Sequence, residues 1–189
     1  MKLNQRNLNM KLLMHRWAWL LGVMLALSCG TSVAETRILI LDFELNDIAG
    51  ITPTPNEELE RTASLGPLLR DAIAKNAGYK ILPINKVEQA KANAGFGYLL
   101  DHSDEAAKLG QQSGADFVVV GQIHKPSFLF AYLRIHLVDA NSGKLVGNHY
   151  VEIKGSTKKV TEKGVANLAN YIDETLRNLE KLRTSTRFR

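Results

Sequence analysis

From Arg37 to Leu41 the chain reads Arg-Ile-Leu-Ile-Leu, an apolar run without alternation, which is the pattern of a strand buried on both faces. The run "DFVVVGQIH" repeats it. "YLRIHLVDA" alternates instead: Leu133, Ile135 and Leu137 fall on one face, Tyr132, Arg134 and His136 on the other. "YKILPI" is a short strand, and "LVGNHYVEIKG" follows the tight turn "NSGK" as a last one.

Helical spacing appears in four places. Leu65, Leu68, Leu69, Ala72 and Ile73 form one stripe. Its helix should begin at Thr54-Pro55-Asn56-Glu57, with threonine as N-cap, proline in the first turn and glutamate completing a capping box. Gly66-Pro67 is expected to divide it, and Gly78 to stop the chain beyond it. "NKVEQAKANA" reads as a short helix, "GFGYLLDHS" as a connection, and "SDEAAKLGQQSGA" as a helix with Ser103 as N-cap. From Thr157 a long helix carries Val165, Leu168, Ile172, Leu176 and Leu179 on one face. The order β-α-β-α-α-β-β-β-α predicts one α/β (α+β) domain. It holds a single mixed sheet of about five strands, an early crossover joined to an antiparallel meander.

The first 34 residues do not belong to that domain. A basic start with Lys11 and Arg16 precedes an apolar run from Trp17 to Leu27, and Ser32-Val33-Ala34 places small side chains before Glu35. The run is too short for a membrane anchor, so the pattern predicts a secretory signal cut between Ala34 and Glu35. Met10 is an alternative start to Met1, because the signal is complete without what precedes it. "ALSC" offers a second outcome: lipidation of Cys29, although Ala26 stands where a lipobox prefers leucine. The expected divisions are 1–34 signal, 35–183 domain and 184–189 a flexible basic tail.

Export changes the meaning of the charge. Of 24 basic residues, Lys2, Arg6, Lys11 and Arg16 precede Glu35 with no acidic residue among them. That leaves 20 basic against 19 acidic, and the net charge falls from +5 to +1. The basic balance therefore gives no reason to expect nucleic acid. Cleavage also removes the single cysteine, so no disulfide and no thiol chemistry is expected in an oxidising compartment.

The hairpin around "HKPS" carries the candidate contact surface. If the chain turns at Lys125 to Ser127, Phe128, Phe130, Tyr132, Arg134 and His136 share a face with Gln122 and His124 of the partner strand. Aromatic rings beside arginine make up a composition favoured at protein-binding hot spots. The competing expectation is a second core layer, because Val118 and Val120 fall on that same face. Pro126 is read as a turn residue. Tyr98 and His102, with His124, are candidates for lining a small-molecule pocket.

"GADFVVVGQIHK" and "LRIHLVDANSGKLVG", with "ILILDFEL" and "LGPLLRDAIAKNAGYKIL", resemble the amino-terminal domain of TolB-type periplasmic proteins and its relatives among CsgG-like, FlgO-like and LpoB-like envelope proteins. More closely, "LDFELND", "GFGYLLDH" and "GADFVVVGQIHKPSFLFAYL" resemble an exported proteobacterial family of unknown function. The resemblance implies a TolB-like fold and an accessory or assembly role in the envelope.

No other pattern points to chemistry. His124, His136 and His149 lack metal-ligand spacing, and no metal or cofactor is expected. Asp42 and Glu44 fall on one side of a strand end, where solvated acids are commoner than catalytic ones. "GFGY" lacks the third glycine of a dinucleotide fingerprint and the Lys-Ser/Thr of a P-loop. The expectation is a non-enzymatic periplasmic protein that binds another envelope protein and meets a membrane only if Cys29 is lipidated. A periplasmic small-molecule sensor or carrier is the alternative.

Overall fold

The computed structural model describes residues 35–50 and 54–187. Ala34, Cys29, Met1 and Met10 lie outside them, so the expected cleavage and lipidation sites do too. The elements are β1 (Thr36–Ile40), β2 (Glu44–Asp47), α1 (Asn56–Ala74), β3 (Tyr79–Leu82), α2 (Lys86–Ala92), α3 (Tyr98–Asp101), α4 (Ser103–Ser113), β4 (Phe117–Lys125), β5 (Phe130–Asp139), β6 (Leu145–Lys154) and α5 (Lys158–Arg187). They form one mixed sheet in the order β3-β1-β4-β5-β6, with β2 also paired to β4. The pairings among β1, β2, β3 and β4 are parallel; β4-β5-β6 is an antiparallel meander. The expected α/β class and crossover-plus-meander plan are what the structure has, with one strand and one short helix more.

The extra strand comes from a slip of one residue. β1 pairs Ile38 with Phe117, whereas β2 pairs Glu44 with Gln122, so residues 41–43 oppose only Val120 and Gly121. The amide side chain of Gln89 in α2 fills the gap in the ladder: its Nε2 donates to the Asp42 carbonyl at 3.0 Å, and its Oε1 accepts from the Asp42 N–H at 3.1 Å. A side chain thus satisfies backbone groups that the interrupted sheet leaves unpaired.

One face of the sheet is covered by α1 and α5, with Ile38, Ile40, Leu65, Leu69, Leu133 and Ile172 fully buried between them. Each such side chain contributes roughly 2 kcal/mol of transfer free energy. The other face is covered by α3 and α4 over Leu39, Leu41, Val118, Val120 and Val138.

Three helix expectations are corrected. The N-cap of α1 is Pro55, not Thr54, and no side chain caps it. Gly66-Pro67 does not break the helix, because burial of Leu65, Leu69 and Ile73 on one stripe holds both halves against the sheet. In α4 the cap position is His102; Ser103 is already helical and its hydroxyl donates to the Gly143 carbonyl at 2.9 Å. At the other end, α5 continues through residues 184–187, and Arg183 holds the Asp139 carboxylate at 2.7 Å.

Candidate functional site

The second helical layer stops short. It reaches β5 at His136, whose Nδ1–H donates to the Leu100 carbonyl at 2.8 Å, and at Val138. Toward the hairpin end, no helix among the described residues covers Arg134, Tyr132 or Phe130. The sheet register lines up a row there: Asn46, His124, Tyr132 and Glu152 on successive strands, beside a row of Glu44, Gln122, Arg134 and Tyr150. Alternation places both rows on one face, the face away from α5.

Tyr132 is the hub of this surface. Its ring stacks with His124 at 6.4 Å and meets Phe130 and Tyr150 edge-on at 5.6 and 6.0 Å. Tyr132, Phe130 and Arg134 are half-buried, whereas Tyr150 is 66% exposed. Neighbours hold the rings in place and one side stays open, so further burial against a partner costs little side-chain entropy.

Arg134 stands out electrostatically. Arg37, Arg61, Arg70, Arg177 and Arg183 each hold a carboxylate. Arg134 holds none among the described residues, although a half-buried guanidinium ordinarily finds one. Opposite it on β4, Gln122 is 3% exposed, and its Oε1, like His124 Nδ1 and Asn93 Oδ1, has no hydrogen-bond partner among the described residues.

The edge of the face is set by the loop after α2. Glu44 accepts from the Asn93 amide at 2.5 Å and from the Gly97 N–H at 2.7 Å, pinning that loop to the sheet. The expectation that Glu44 and Asp42 share a side is corrected. The register slip turns Asp42 toward α1 and α2, where Arg70 at 3.1 Å and Lys86 at 2.9 Å hold it. Burial raises the Asp42 pKa, but the bonds from Lys86 and Arg70 outweigh it and leave the carboxyl below its ordinary value. The two acids therefore hold different partners on different elements.

The structure brings Gln122, His124, Phe130, Tyr132, Arg134 and His136 onto one face, with His136 at its covered end. Phe128 is not on the strand. It lies in the 126–129 loop and is 62% exposed, because β4 runs on through Lys125. Tyr98 and His102 pair with each other, ring centres 4.1 Å apart, and neither they nor His124 line the cavity beside Lys125 and Arg61 or the groove between α1 and α5. His149 pairs across from Ile135 on the opposite face, so it does not converge with His124 and His136. No group of three His, Cys, Asp or Glu among the described residues could hold a metal ion. Sequence reasoning missed Tyr150 and Glu44 as parts of the face. The alternation of "NHYVEIK" carried the signal for Tyr150; for Glu44 there was none, since the slip is invisible in the sequence.

The arrangement defines a mixed α/β domain with one incompletely covered sheet face. A family model described as "Protein of unknown function (DUF2380)", DUF3280, matches residues 36–172, and the chain belongs to that family. Curated proteins give no match. Similar solved structures include the NMR structure of E. coli LpoB, with 13% identity and a TM-score of 0.49 over 66% of this chain and 58% of that one. TolB from Acinetobacter baumannii aligns at 16% identity and TM-score 0.48 over 75% of this chain and 28% of its own. Lipoprotein GNA1162 from Neisseria meningitidis aligns at 23% identity and TM-score 0.44, over 73% and 96%. LpoB and TolB are among the proteins that the sequence motifs resemble. No helix among the described residues is long and apolar enough to cross a membrane.

Proposed function

We propose that this chain is a non-catalytic binding module of the bacterial envelope whose working part is the open face around Tyr132 and Arg134. The partner is a protein that lays an apolar side chain against Tyr132 and Tyr150 and offers a carboxylate to Arg134. The observation that carries this reading is a half-buried arginine with no acid partner among the described residues, set among rings that are held on one side and open on the other. A guanidinium in that setting gains a charge-assisted, bidentate bond on docking with little desolvation left to overcome. The signal-like pattern before Glu35 supports the envelope as the place.

The test is site-specific crosslinking in the full chain. A photo-crosslinking residue at position 150 should trap one discrete envelope protein, and Arg134→Glu should abolish that adduct. The same crosslinker at Lys181, on the exposed side of α5, should trap nothing comparable. Identical adducts at both positions, or an adduct at 150 indifferent to Arg134→Glu, would sink the reading.

A further inference from the structure

The sheet ends at β6, and among the described residues no strand pairs with its outer edge. This edge is ten residues long and holds no proline to block a further strand. The Gly155 N–H donates to the Leu129 carbonyl at 2.9 Å, and Lys154 stands opposite Phe130. Odd-numbered residues from 147 to 155 therefore bond to β5, while Asn148, Tyr150 and Glu152 turn their N–H and C=O groups outward.

α5 runs beside that edge. His149 stacks on Tyr171 with ring centres 5.6 Å apart, and its Nε2–H donates to Thr175 Oγ1 at 2.9 Å. These contacts fix which side of the helix flanks β6. At 3.6 residues per turn, that side carries Val160, Gly164, Asn167, Tyr171, Thr175, Asn178 and Leu182, and none is charged. Elsewhere the exposed surface of α5 is largely charged, with Glu162, Lys163, Glu174, Arg177, Glu180 and Lys181. The uncharged stripe is not hidden: Tyr171 is 43% and Leu182 64% exposed. It is also symmetric in position. Turned antiparallel about Tyr171, it sets Asn167 against Thr175, Gly164 against Asn178 and Val160 against Leu182.

We propose that the β6 edge and this flank of α5 bind a second copy of the chain across a two-fold axis passing near Tyr150 and Tyr171. β6 pairs antiparallel with the β6 of the second copy, and the two α5 helices pack side by side beneath the joined sheet. The register centred on Tyr150 sets Asn148 against Glu152 of the second copy and opposes no like charges; one centred on Glu152 would face that acid with itself. The heights agree, because His149, next to Tyr150, touches Tyr171. The spacing agrees as well. A Cβ at Gly164 would meet both Ile153 on β6 and Leu133 on β5, so α5 lies over the gap between those strands. With strands about 4.8 Å apart, the two helices come about 10 Å from one another, a distance at which helices pack. Lys163 and Lys181 fall to the solvent side of the seam, where long side chains turn into water. The pairing uses only backbone groups of Tyr150 and leaves its ring on the open face, so it stands or falls apart from the proposed function. Crosslinks between two copies carry twice the chain mass and are counted apart from an adduct with another protein.

The experiment is sedimentation equilibrium of the full chain over a range of concentrations, in which the wild type should pass from monomer to dimer. Asn167→Lys and Asn178→Lys each set an unpartnered charge in the seam. Each should weaken the dimer about tenfold or more while leaving the melting temperature of the monomer unchanged. Lys181→Asn, beside the seam, should not weaken it. In a Cys29→Ser background, Tyr150→Cys should form a disulfide between copies on mild oxidation, since a hydrogen-bonded antiparallel pair brings its Cα atoms to about 5.5 Å. Lys108→Cys, on α4, should not. A chain that stays monomeric up to about 1 mM, a dimer indifferent to both seam lysines, or crosslinking at 108 equal to that at 150 overturns the pairing.

Discussion

The tip of the Phe43 ring rests on Gly121, so close that a Cβ at position 121 would overlap Cζ, Cε1 and Cε2 of the ring. Phe43 lies in the slipped segment between β1 and β2, and Gly121 is the β4 residue opposite the slip. The extra residue and the missing side chain are thus two halves of one packing solution. Gly121→Ala should lower stability by about 1–3 kcal/mol through overpacking, and Phe43→Leu in the same chain should recover most of that. Urea unfolding of the two single variants and the double measures it; a Gly121→Ala protein as stable as wild type would contradict the contact.

The buried cluster in which Lys125 holds Asp47 at 3.3 Å and Glu58 at 3.1 Å makes a second expectation quantitative. Lys125→Met leaves Asp47 and Glu58 facing each other without their shared cation, and should cost about 3 kcal/mol. Adding Asp47→Asn and Glu58→Gln removes the stranded charges and should return part of that loss. A triple variant no better than Lys125→Met would show that packing, not charge, governs the site.

Asp42 sets an acid-side dependence. Its folded pKa lies below 3.8, so its contribution is fully present above that value and disappears as pH falls through the folded pKa. With the side chain 27% exposed, solvent screening holds the effect to about 1 kcal/mol. Asp42→Asn should therefore be less stable than wild type at neutral pH, and the two should converge in acid. Melting temperatures measured across that range check it.

His149 acts at a milder pH. Its Nε2–H donates to Thr175 Oγ1 at 2.9 Å, because the threonine proton is already given to the Tyr171 carbonyl. Burial lowers the pKa of this ring below 6.5, against an opposing pull from Glu174. The unfolded chain then takes up a proton first, so stability falls as pH drops through about 6.5 toward the folded value. His149→Gln should flatten that part of the stability profile; an unchanged slope would place the titrating group elsewhere.

The two faces of the β5–β6 hairpin should respond unequally to truncation. Ile135→Ala, under α5, should cost about 2–5 kcal/mol. Tyr150→Ala and Arg134→Gln, on the open face, should each change stability by no more than about 0.5 kcal/mol. Chemical denaturation of the three variants separates a core from a contact surface; a large loss in either open-face variant would make that face structural.

Residue order alone determined the class of fold, because burial writes a period into each strand and helix: Ile38 to Leu41 without alternation, Leu133 to Leu137 with it, Val165 to Leu176 at helical spacing. It also placed Tyr132, Arg134 and His136 on one side of their own strand, since alternation along one strand is a local property. Three things waited for the tertiary structure. The slip at Phe43 depends on a glycine 78 positions away, the cover over His136 on a carbonyl from Leu100, and the cluster at Lys125 on acids from β2 and α1. Each is a contact between segments far apart in sequence, and no local pattern encodes which distant neighbour a side chain meets. Whether a polar residue ends up paired, like Lys125, or without an acid partner among the described residues, like Arg134, is decided only when those neighbours arrive.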